Sequence, residues 1–142
     1  MLSLLLNKLE NETLDEVIKE LVYALGSQLR GYVEEIKSFN EKDGTTILLN
    51  VYVKVTDKPR IKILILLADL SNPDMNSGES ETLGFTDEKL RPWCVLVLEE
   101  MKRSKMVGPD AYEFALALHK RPNCCKPPLV LLPFKKKFED DY

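Results

Sequence analysis

The chain has 142 residues, 44% of them hydrophobic and 30% charged, which is the size of one compact domain with apolar side chains enough for a core. A formal net charge of -3 argues against a protein that coats nucleic acid. Three cysteines are too few and too unevenly spaced for a disulfide framework or a four-ligand metal site, so Cys94, Cys124 and Cys125 are expected as reduced thiols.

The opening MLSLLLNKLENE has a short apolar run broken by Asn7 and Lys8, unlike a signal peptide. Leu2 to Leu9 reads as a helical turn packed beside the next element or as an exposed anchor for a partner. No stretch approaches the ~20 apolar residues of a membrane span. A soluble protein of cytosol or nucleus is therefore expected.

Thr13-Leu14-Asp15-Glu16 has the form of a capping box, so a helix is expected from about Thr13. Leu14, Val17, Ile18, Leu21, Val22, Leu25 and Leu29 then recur at three- and four-residue spacing on one face. From Gly31 the character changes. GYVEEIKSF, TTILLNVYVKVT and RIKILILLADL, separated by NEKDG and DKP, predict a three-stranded antiparallel meander. In the second strand Ile47, Leu49, Val51, Val53 and Val55 alternate with Leu48, Asn50, Tyr52 and Lys54. The third is apolar on both faces from Ile63 to Leu67, as a central strand would be. A continuous helix from Thr13 to Phe39 is the competing reading of the first strand.

Residues 71–88 hold five acids and no Lys or Arg, and read as a mobile surface loop. Ser71, Ser77, Ser80, Thr82 and Thr86 would be its phosphorylation candidates. WCVLVLEEMKRSKMV reads as a helix with Gly108 at its C′ position, and Pro109 opens a second helix, DAYEFALALHKR, that Pro122 ends. LVLLPF is then expected as a short edge strand, followed by a polar tail at 135–142. The whole is a single α+β domain: N-terminal helix, meander, two C-terminal helices and a final strand. This order resembles the topology of RWD-type domains, but their YPxxxP turn is replaced by LSNPDMN, so no functional position carries over.

Candidate chemistry is thin. Cys124 and Cys125 follow a helix C-terminus, where the dipole disfavours thiolate, although Lys120, Arg121 and Lys126 supply cations. His119, the only histidine, would need an orienting group to act with either cysteine, and is simply read as stabilising a helix end. Asp69 ends a predicted strand without a phosphate loop before it. The pairs Glu34-Glu35, Asp87-Glu88 and Glu99-Glu100 lie where solvated charge is expected. No catalytic residue, cofactor or metal is assigned.

Residues 101–137 carry nine basic against two acidic side chains, whereas residues 1–100 carry 11 against 18. The expected function is non-enzymatic: an interaction module, subunit or adaptor of an intracellular complex. Its protein partner, a second copy or another chain, would be met by Leu129, Leu131, Phe134, Lys135, Lys136, Lys137 and Phe138 along the terminal edge. The alternative is a nucleic-acid accessory protein using Lys102, Arg103, Lys105, Lys120 and Arg121, and the third is a thiol enzyme built on Cys125.

Overall fold

The computed structural model describes residues 1–71 and 83–139. Among them there are helices and no strand. In chain order these are α1 (Leu2–Asn11), α2 (Asp15–Leu29), α3 (Val33–Glu41), α4 (Gly44–Lys54), α5 (Asp57–Ser71), α6 (Asp87–Leu90), α7 (Pro92–Arg103), α8 (Gly108–His119) and α9 (Leu132–Phe138). The α+β expectation is thus overturned, meander and final edge strand alike.

The reason lies in letters that satisfy two periods at once. In α4 the buried apolar side chains are Ile47, Leu48, Val51 and Tyr52, followed by Val55 at its C-cap, and they recur at three and four residues on one helical face. The alternation read as a strand is present too, but Leu49 is only half-buried and Val53 is exposed. Helix α5 has apolar residues at nearly every position from Ile61 to Leu70, so it fits a buried helix as well as a buried strand. Packing on α2, α4 and α8 decides the matter against the β-preference of Val and Ile.

Punctuation was placed better than element type. Gly31, at φ +83°, ends the α2 region and separates it from α3, so the continuous helix to Phe39 is also excluded. Asp43, in the left-handed region at φ 58°, turns the chain between α3 and α4. Gly44 starts α4 under the Phe39 ring, where a Cβ would stand 2.2 Å from a ring carbon. The proposed Thr13 capping box does not form. Instead the Glu12 carboxylate accepts from the backbone N–H groups of Thr13 and Leu14, and Leu14 caps α2.

Helices α5 and α8 pack together at the centre, α2 lies against α5, and α7 lies against α8. Trp93 anchors the middle, edge-on to Tyr52 at 5.4 Å and tilted against Phe114 at 5.8 Å. Leu2, Leu6 and Leu9 bury one stripe of α1 against α2 and α4, so this segment is core rather than an exposed anchor. Residues 72–82 of the expected acidic loop, with Ser77, Ser80 and Thr82, lie outside the described residues, as do 140–142 of the tail. In the loop's later part Leu83 and Phe85 are buried, while Thr86 and Glu88 are exposed and the Thr86 hydroxyl accepts from Lys89 N to cap α6. Ser71 is buried and donates to Leu67 O. No helix among the described residues is long and apolar enough to cross a membrane.

Candidate functional site

Helix α7 starts with Pro92, which suits a first-turn position, and buries Trp93, Cys94, Val97 and Met101 inward. Its outer face then carries Val95, Leu98 and Lys102, spaced at three and four residues. After α8 ends, residues 120–131 run back across this face without regular structure, and α9 follows. Between α7 and the returning segment lies a groove of about 590 Å³. Its floor and walls are Val95, Leu98, Leu129, Val130, Phe134 and three prolines, and Arg91, Lys102 and Lys126 stand among them with no carboxylate.

The wall is held by specific bonds. The Arg91 guanidinium donates to Cys124 O at 3.0 Å and to Asn123 O at 3.1 Å. Arg121, buried, donates to Phe85 O at 2.8 Å and Ser71 O at 3.3 Å and pairs with Asp87 at 3.5 Å. Helix α9 is fastened by Phe138, whose ring lies 5.5 Å from that of Tyr112, by Lys137 Nζ donating to Met101 O at 2.8 Å, and by Tyr112 Oη donating to Glu139. The Phe134 and Phe138 rings stack at 6.4 Å.

A covalent tie completes the wall. Cys94 of α7 and Cys125 are joined by a disulfide, which corrects the expectation of reduced thiols. The two are far apart in sequence and are brought together only by the α7–α8 hairpin. Cys124 is free and buried, its thiol 3.9 Å from Asp87 O. Burial, and then the Asp87 charge, pushes this thiol up from its ordinary value, while Arg121 and Arg91 pull it back. The sulfurs of Cys94, Cys124 and Cys125 all lie within 4.8 Å of one another. His119 and Cys125 line a neighbouring cavity of about 320 Å³ together with Arg121 and Leu129. The Cys125 sulfur is committed to Cys94, which leaves Cys124 as the free thiol.

The residues singled out from sequence are dispersed over several roles. Leu129 is buried, Leu131 and Phe134 are half-buried, and Leu129 and Phe134 line the groove. Lys135 and Lys136 are exposed on α9, whereas Lys137 and Phe138 fasten that helix to the body. Of the basic set, Lys102 stands on the groove rim and Lys105 is exposed in the turn after α7. Arg103 pairs with Glu100 at 2.9 Å, Lys120 is exposed at the end of α8, and Arg121 is inside. Sequence reasoning passed over Arg91, Val95 and Leu98. The signal for two of them was available, because Val95, Leu98 and Lys102 share one face of a segment read as a helix. No protein-family model matches this chain, and no curated protein or solved structure matches it at a significant level.

Proposed function

We propose that the chain is a non-enzymatic interaction module, a subunit or adaptor of a complex in the cytosol or nucleus, that takes an acidic, apolar segment of a protein partner into the groove along α7. The observation that carries this reading is the pairing of an apolar floor with a rim of one sign: Arg91, Lys102 and Lys126 with no acid among the lining residues. Val95 and Val130 add to it, being 61% and 69% exposed on either side of the groove. Exposed apolar surface beside convergent charge favours a ligand that is apolar on one side and of opposite charge at its edges. A groove between one helix and an irregular returning segment suits a short helix or extended peptide.

Two synthetic peptides with the same Leu-rich face, one flanked by glutamates and one by lysines, test this by fluorescence anisotropy. The acidic peptide is expected to bind one to one and to weaken at least tenfold with Val130→Asp or Lys102→Glu. Both substitutions are at exposed positions, and the helical circular dichroism of each variant serves as the folding control. Equal binding of the two peptides, or no loss in either variant, would overturn the reading. So would preferential capture of single- or double-stranded oligonucleotides with a steep salt dependence.

A further inference from the structure

We propose that Cys94, Cys124 and Cys125 form a metal site once the disulfide is reduced, holding one thiophilic d10 cation, monovalent copper or zinc, through three sulfurs. The proposal does not rest on the peptide reading, since it uses the three sulfurs and none of the exposed valines or lysines of the groove. Three observations support it.

The first is geometry. The three sulfurs lie within 4.8 Å of one another, and all three residues are buried. A metal–sulfur bond of about 2.3 Å in trigonal geometry needs sulfurs about 4.0 Å apart, so after reduction the Cys94 and Cys125 sulfurs must part by about 2 Å while the outlying pair closes by under an ångström. A disulfide alone would need only two cysteines. Cys124 contributes a third sulfur to the same spot, and its weak contact to Asp87 O gives up little on binding.

The second is the support behind the ligands. Arg91 fixes the carbonyls of Asn123 and Cys124, and Arg121 fixes the loop at Phe85 and Asp87 that faces Cys124. These bonds orient the cysteine pair as outer-shell partners of metal sites do. Three thiolates around copper(I) leave a charge of -2, and around zinc -1. Two guanidinium groups beside the cluster, one of them paired with Asp87, offset part of that charge without competing for the metal, since they hold no acceptor. Soft sulfur donors select these ions over calcium or magnesium.

The third is access. Cys94 lines the groove and Cys125 lines the cavity beside His119, so an ion or reductant reaches the cluster from either side. A small dithiol reductant delivers two electrons to the Cys94–Cys125 bond, becoming a cyclic disulfide as two thiols form. The three thiols then release their protons to solvent as three metal–sulfur bonds form. Zinc completes its shell with a water molecule or another donor.

The test uses the full chain, reduced with dithiothreitol and desalted without oxygen. Copper(I) is titrated against bathocuproine disulfonate, zinc against a chromophoric chelator, and sulfur ligands are counted by X-ray absorption. One equivalent per chain with three sulfurs is expected for at least one of the two ions, with no binding to the oxidised chain. Cys124→Ser, which leaves the disulfide available, should weaken binding at least 100-fold while keeping its helical circular dichroism. Failure of the reduced chain to bind either ion stoichiometrically, or a count of two sulfurs or fewer, would overturn the proposal. So would unchanged affinity in Cys124→Ser. The sulfur count on the wild-type chain decides the matter even if that variant folds poorly.

Discussion

The Glu100 carboxylate of α7 and the Arg60 guanidinium of α5 meet at 2.8 Å, with the glutamate side chain 3% exposed. Arg103, one turn along α7, reaches the same oxygen at 2.9 Å. Arg60 also donates to Tyr52 O at 3.1 Å and lies over the Tyr52 ring. Sequence placed Glu100 among solvated acids, yet it is the buried centre of a charge network. Removing one partner of a buried pair leaves an uncompensated charge, so Glu100→Ala is expected to cost about 3–5 kcal/mol in urea unfolding. Arg60→Met should then cost much less in the Glu100→Leu background than alone, because it removes a cation that no longer has its anion. Additive losses would show that the pair is not coupled.

Asn40 supplies a second prediction. Its amide is buried, donates to Leu83 O at 2.8 Å and to Ile36 O at 3.4 Å, and accepts from the Thr45 hydroxyl at 3.2 Å. It therefore pins the 83–85 turn to the start of α4. Gly84 lies against it at φ +100°, where a Cβ would stand 2.6 Å from that of Asn40. Asn40→Ala strands the Leu83 carbonyl and the Thr45 hydroxyl and should cost about 1–3 kcal/mol. Chemical denaturation measures this, and a change under half a kcal/mol would mean that solvent replaces the amide freely.

Asp110 gives a pH dependence. Burial raises its carboxyl above the ordinary range, with Lys62 and a backbone hydrogen bond acting in the opposite direction. A raised value in the folded state means that the native chain binds the proton more tightly than the unfolded one. Its stabilising contribution is complete below the unfolded carboxyl's range and is lost as pH rises through the folded value. Asp110→Asn should therefore flatten the stability profile on the alkaline side of the ordinary carboxyl range and raise the urea midpoint at neutral pH. A lower midpoint in the variant would show that the charge is favourable where it sits.

What the sequence revealed and what it hid divide along physical lines. Helix α2 was legible because polar positions interrupt the apolar ones at helical spacing, and α7 and α8 because Gly108, Pro109 and Pro122 mark their boundaries. Helices α4 and α5 were misread because residues such as Leu48 and Ile63 to Leu67 are apolar at both parities, which erases the difference between the two periods. The Cys94–Cys125 bond was hidden by the intervening hairpin, since sequence distance gives no measure of spatial distance. In the groove, Leu129, Phe134 and Lys102 were picked out by composition alone. Val95 and Leu98 needed the chain fold to place an opposing wall in front of them.

Helix α5 is covered by α2, α4 and α8 on the side of Ile63, Leu64, Leu66, Leu67 and Leu70, while Lys58 and Lys62 remain in water. The peptide protons on the covered side are freed only when α2, α4 or α8 parts from it. In deuterium oxide they should be the last to exchange, at a rate set by opening of the entire domain, and α9, which buries no residue fully, should trade its protons early.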